Sequence, residues 1–136
     1  MVALSTIKSR YYAIARRLGA PKRHVMFSTH PTGFGDPHVE KLDDAYAYVV
    51  LERGHEIERR VTQDPDELLY WLVSDLTWSM ASEYELSHRS GNADFRRLLF
   101  RKHLELLSRA NPKWSEAKRI EYDSVLRAHP FSDTQG

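Results

Sequence analysis

The residues best placed to do chemistry are Glu85 and His88, a carboxylate and an imidazole one helical turn apart within SMASEYELSHR. That spacing serves carboxylate-bridged dimetal sites, which need the pair twice along with two further carboxylates. One copy is present, so the pair alone builds no such centre. His24, His30 and His38 fall within one stretch, but their spacing matches no zinc pattern. Cysteine is absent, which removes disulfides and thiolate clusters alike. Ser28, Ser79, Ser82 and His88 offer the atoms of a hydrolytic triad without the strained turn that presents a nucleophile. Gly33-x-Gly35 is no phosphate loop, because no helix follows to aim its N-terminus at an anion. The expectation is a protein that is not an enzyme, with no catalytic residue, metal or cofactor.

A binding role then turns on charge and exposed side chains. The net charge is only +1, but it is unevenly spread. Residues 1–35 carry Lys8, Arg10, Arg16, Arg17, Lys22 and Arg23 and no acid. Residues 62–87 carry Asp64, Asp66, Glu67, Asp75, Glu83 and Glu85 and no base. Residues 88–109 turn basic again. Such blocks steer charged partners or pair with one another inside one domain. A regulatory or nucleic-acid-binding module, acting through the basic first and third helices, is the competing reading. Phosphate binding builds on accumulated positive charge, so the small net charge and the acid-rich centre argue against it.

The elements that position these residues are legible from periodicity. With 41% apolar and 29% charged residues, the 136-residue chain suits one globular domain spanning 1–136. No apolar run is long enough for a membrane span, and the cytosol is the expected compartment. Leu4, Ile7, Tyr11, Ile14 and Leu18 mark a first helix, with Ser5 as cap and Gly19 at its end. Val25 to Phe27 reads as a short strand, followed by a long irregular stretch containing a second strand at His38 to Lys41. Residues 45–52 and 55–61 flank Arg53-Gly54 as a β-hairpin. A two-residue turn sets Val50 opposite Ile57, Tyr48 opposite Arg59 and Tyr46 opposite Val61, with Tyr46, Tyr48 and Val50 inward.

Asp64-Pro65-Asp66-Glu67 starts a long helix, Asp64 capping and Glu67 closing a capping box. Leu68, Leu69, Leu72, Val73, Leu76 and Met80 form its main stripe, and Trp71 and Trp78 lie on another side. Asp94 caps a third helix with Phe95, Leu98, Leu99, Leu104 and Leu107 inward. Asn111-Pro112 starts a fourth, with Trp114, Ala117, Ile120 and Val125 inward. The fold class is α+β: an N-terminal helix, an antiparallel sheet of three to four strands, then three helices packed on it.

Two sets of polar residues follow from this frame. Glu83 projects near the apolar stripe, where an unpaired carboxylate would cost several kcal/mol. Arg89, Arg96 and Arg97 lie just past the turn, so Glu83, Glu85, His88, Arg89, Arg96 and Arg97 are expected to form a structural network at the helix corner. The longest irregular stretch, His30 to Asp44, is the expected partner surface. Its residues are His30, Phe34, Asp36, Glu40, Asp43 and Asp44, joined by Glu56, Glu58 and Arg60 on the outer hairpin face. Phe34 serves as anchor and the acids complement a basic partner.

The stretches YAYVVLERGHEIERRVT, DELLYWLVSDLTWSMASEYELSHR and DFRRLLFRKHLELLSRANPKW, with HPF near the end, span about residues 46–131. In order and spacing they resemble the immunity protein 63 family of bacterial polymorphic toxin systems. Residues 1–45 show no equally specific match. The resemblance implies a small cytosolic protein encoded beside a toxin, which protects the producing cell by binding its cognate toxin domain. It implies no catalytic residues and does not say which toxin activity is blocked.

Overall fold

The apolar spacing from Leu4 to Leu18 folds as helix α1 (Leu4–Arg17) in a computed structural model that describes residues 1–134. The helix starts from Ala3 with no side-chain cap, so Ser5 lies inside it rather than before it. Its end is closed by the backbone: Gly19 takes φ +66°, Ala20 N–H donates to Ala15 O and Gly19 N–H to Arg16 O. Pro21 then opens a 3₁₀ turn, Lys22–His24.

The sheet has three antiparallel strands in the order β1 (Phe34–Lys41), β2 (Tyr46–Glu52), β3 (His55–Thr62). Val25 to Phe27 is not a strand. Met26 N–H donates to the Tyr11 hydroxyl at 2.9 Å and Phe27 packs on the Tyr11 ring, so α1 holds this segment. One bond, Val39 N–H to Ser28 O, ties the connection to the β1 edge.

Arg53 and Gly54 take φ of 51° and 79°, the turn that suits a two-residue hairpin. It sets Glu52 against His55 and Leu51 against Glu56 as expected. A bulge then shifts β3 by one residue, so Val50 faces Glu58, Tyr48 faces Arg60 and Tyr46 faces Thr62. The shift turns every later β3 side chain over. Ile57 and Val61 become exposed at 59% and 52%, and Arg60 moves beneath the sheet. There its guanidinium stacks on Tyr48 at 4.1 Å and on Trp71 at 4.8 Å. Edge position allows this, because an arginine reaching in from an edge strand keeps contact with water.

Helix α2 (Pro65–His88) is the centre of the fold. Asp64 accepts from Asp66 N–H at 2.9 Å. Asp64's own N–H is taken by the Thr62 hydroxyl, the donor that a capping-box Glu67 would have satisfied. Leu68, Leu69, Leu72, Val73 and Leu76 meet Ile7, Tyr11, Val39, Tyr46 and Tyr48 in the main core. Helices α3 (Phe95–Ala110) and α4 (Pro112–Ala128) stack behind it, capped by Asp94 and Asn111 as expected. The inward stripe of α3 is Leu99, Phe100, His103, Leu106 and Leu107, which leaves Phe95 half-exposed under the Arg89 guanidinium. Ala117, Ile120 and Val125 are exposed on α4, which packs through Trp114, Tyr122 and Leu126 instead. Lys118 completes that four-residue spacing, its ammonium near the Tyr70 and Tyr122 rings. A lysine stem covering aromatic surface hides the stripe from a pattern of apolar letters.

Two arginines reach across the helix ends: Arg17 donates to Ala110 O at 2.7 Å, and Arg109 reaches Leu18 O at 3.5 Å. Part of the basic charge of α1 and α3 is therefore spent on carbonyls inside the fold. Among the described residues, no helix is long and apolar enough to cross a membrane.

Candidate partner-binding site

Where the sheet and α2 diverge near the hairpin, an open cleft of about 520 Å³ lies between them. Its wall on one side is β1 and β2, through Asp36, Pro37, Tyr48 and Val50. On the other it is α2, through Leu72, Asp75 and Ser79, at the helical spacing of three and four. The far end is closed by the 3₁₀ turn, which is pinned to α2. His24 Nδ1 meets Ser79 Oγ at 2.7 Å and its Nε2 lies 3.1 Å from Glu83, while Arg23 grips the same Glu83 through two bonds. A second cleft of about 350 Å³ opens on the other flank of Asp75, between β3 and α4. Glu58 and Asp75 border both.

Asp75 is reachable by solvent, yet among the described residues it accepts a hydrogen bond from one donor, the Tyr48 hydroxyl at 2.6 Å. Desolvation by the surrounding walls pushes its pKa up, and the same burial, with Asp75 beside it, raises that of Tyr48. The cations nearby are already engaged. Arg60 Nε lies 3.0 Å from Glu58, out of line for a hydrogen bond, and Lys118 bonds Glu121 at 3.0 Å.

The expected partner residues separate into four places. Phe34, Asp36 and Glu58 gather around the larger cleft: Phe34 is 88% exposed beside the Gly35–Pro37 wall, and the two acids line the interior. Glu40 and Glu56 lie on the outer sheet face, where Glu40 accepts from His38 Nε2 at 2.9 Å and approaches Arg59 at 3.6 Å. Arg59 also bonds Glu56 at 2.8 Å and lowers its pKa. Asp43 and Asp44 sit at the β1–β2 turn, at the opposite end of the sheet, and His30 bonds the Thr29 hydroxyl on an exposed loop. The bulge explains why Glu58 and Arg60 left the outer face that the hairpin register had assigned them.

The corner network also differs from expectation. Glu83 is half-exposed, and its partners are Arg23 and His24 rather than the corner arginines. The Arg23 bonds hold its pKa at about 2. The buried carboxylate is Glu85, two residues on and nearly on the opposite side of the helix, and it accepts two bonds from Arg89 at 2.6 and 3.0 Å. His88 points elsewhere, stacked on Tyr84 at 3.9 Å, so Glu85 and His88 do not converge on a common ligand. Arg96 and Arg97 bind the chain end. Arg96 joins Asp94 to the carbonyls of His129 and Pro130, and Arg97 joins Asp133 while covering Phe131 at 4.3 Å. Glu83 misled because the apolar stripe outruns the sheet at this end of α2, where the 3₁₀ turn and water replace it.

One residue with a role in this architecture went unnoticed in the sequence. His103 is buried, with its Nδ1 2.5 Å from the Tyr122 hydroxyl and its Nε2 near Thr77 Oγ1 at 2.9 Å and Ser74 O at 3.1 Å. A carbonyl only accepts, so Nε2 carries the proton and Nδ1 accepts from Tyr122. Burial pushes its pKa down to about 4 and keeps it neutral. Its position four residues after Leu99 would have placed it on the inward stripe.

His24, His30 and His38 bond Ser79, Thr29 and Glu40 in three separate places. Among the described residues, no three of His, Asp and Glu gather as a metal site. No curated protein and no solved structure matches the chain. Residues 43–124, more than half of it, match the family described as Immunity protein 63.

Proposed function

Because the chain belongs to the immunity protein 63 family, we propose that it binds and neutralises a cognate bacterial toxin domain in the cytosol, without catalysing a reaction. The carrying observation is the family match, which runs from the end of the β1–β2 turn through β2, β3, α2 and α3 into α4. Residues 1–136 act in this reading as a single domain, with α1 and β1 added to the matched part. The open cleft supports a protein partner, since an exposed aromatic and several carboxylates surround a concave surface. In this reading Phe34, Asp36 and Glu58 make the contact at the cleft, whereas Glu40 and Glu56 on the outer sheet face, Asp43 and Asp44 at the β1–β2 turn and His30 on its loop stand outside it.

The test is co-expression with the toxin domain encoded beside this chain's gene. Cells should survive toxin induction only when the chain is present, and the two proteins should elute together at a fixed ratio. Survival that requires no complex, or toxicity undiminished by the chain, defeats the reading.

A further inference from the structure

The outward side of α2 carries Trp71, Asp75 and Trp78 at positions i, i+4 and i+7, one continuous stripe. Asp75 stands in the middle as the shared wall of the two clefts of about 520 and 350 Å³. The lining cations are occupied: Arg23 by Glu83, Arg60 by Glu58 and two aromatic rings, Lys118 by Glu121. Asp36 and Asp75 have no ion pair among the described residues. Arg60 and Lys118 favour the Asp75 charge from beyond ion-pair distance, and each carboxylate would gain from a directly paired cation.

Arg60 shows what fits here. Its guanidinium carbon lies 4.1 and 4.8 Å from the Tyr48 and Trp71 ring centroids beside a carboxylate, so the aromatic walls already accept a cation. Two large apolar side chains stand exposed beside the cleft residues without lining the clefts: Phe34, next to Gly35, is 88% exposed, and Trp78, one helical turn from Asp75, is 42% exposed. A metal ion is a poor occupant, because no three ligating side chains converge among the described residues. A protein partner that brings one basic side chain among apolar neighbours satisfies every feature.

We propose that the cleft beside Asp75 receives an arginine or lysine side chain of the toxin, neutralised by Asp75 and Asp36, while apolar toxin residues settle on Phe34 and Trp78. This rests on the toxin-binding reading and adds the chemistry of the contact. The raised pKa of Asp75 agrees with it: the cleft walls disfavour its charge although the residue stays open to solvent, and a bound cation would favour that charge.

The experiment titrates a catalytically inactivated toxin domain, the one encoded beside the gene, into wild-type chain, Asp75→Asn and Asp36→Asn. Asp75→Asn should weaken binding at least tenfold while melting no lower than wild type, because its amide oxygen still accepts from Tyr48. Asp36→Asn should weaken binding several-fold. Alanine replacement of one toxin arginine or lysine should weaken binding to wild type and add nothing in the Asp75→Asn background. Affinity unchanged within twofold in both variants, or no coupled toxin residue, overturns the proposal. An Asp75→Asn chain that melts well below wild type assigns the carboxylate to the fold and overturns it too. Wild-type chain that does not bind the toxin at all overturns the parent reading instead, a distinct result.

Discussion

Tyr48–Asp75, between the sheet and α2, and His103–Tyr122, between α3 and α4, are both hydrogen-bonded polar pairs beside the same helix. At His103 both ring nitrogens have partners, the ring is neutral, and Trp78 closes over it edge-on at 5.5 Å. At Asp75 a carboxylate faces an open cleft with one hydrogen-bond donor and no ion pair among the described residues. Burial lowers the pKa of the histidine and raises that of the aspartate, in each case disfavouring charge. The first site answers that pressure by staying neutral, and every polar atom gains from folding. The second keeps a titratable charge that Arg60 and Lys118 offset without pairing with it directly. Satisfied polar groups in an interior act as structure, and incompletely satisfied ones in a cleft are where a partner has something to contribute.

The comparison breaks first at His103. His103→Ala should lower stability by about 3–4 kcal/mol in urea melts, by opening a cavity and stranding the Tyr122 hydroxyl. A loss under about 1 kcal/mol would mean that water replaces the ring, and that the two sites are less different than they look.

Acid comes next. His103 has a folded pKa of about 4 against an ordinary 6.5, so the unfolded chain binds the proton first as pH falls. Stability from this group is present above pH 6.5 and lost between 6.5 and 4, on the order of 3 kcal/mol in total. In His103→Gln the loss of stability on acidification across that window should disappear, leaving the opposite and separate contribution of Asp75, whose folded pKa is raised. Glu83 and Asp94, both held low by arginines, act in the same direction but below the ordinary carboxylate range.

Arg60→Ala sharpens the other side. It removes a guanidinium from the Tyr48 and Trp71 rings and should cost about 1 kcal/mol, with a matching change in tryptophan fluorescence. Smallest is Glu83→Gln, which should move the melting temperature by no more than about 2 °C. Its carboxylate is half in water, so a large drop would restore it to the structural role its helical projection suggested.

Local chemistry was legible in the sequence. Asp64-Pro65, Asp94 and Asn111-Pro112 start their helices where the letters say, and Gly19 and Arg53-Gly54 turn the chain as their backbone freedom allows. The order of one helix, a sheet and three helices followed from apolar periodicity, as did the inward stripe of α2 from Leu68 to Leu76. The stretch after Val25 was harder, because a side chain of α1 rather than a neighbouring strand takes up its backbone donor.

Tertiary structure alone decided the β3 register, the packing face of α4 and the partners of Glu83. One bulged residue reverses a strand's faces, and nothing in HEIERRV marks Ile57 as the extra one. Lys118 on an inward stripe and Arg60 beneath a sheet defeat any sorting of residues into apolar and charged. Arg23 and Glu83 lie 60 residues apart, and Asp36, Glu58 and Asp75 come from three elements. Their meeting depends on how α1, the sheet and α2 pack. Caps, turns and periodicity are set by neighbours a few residues away, whereas a cleft is the space left between elements, and its contents depend on all of them at once.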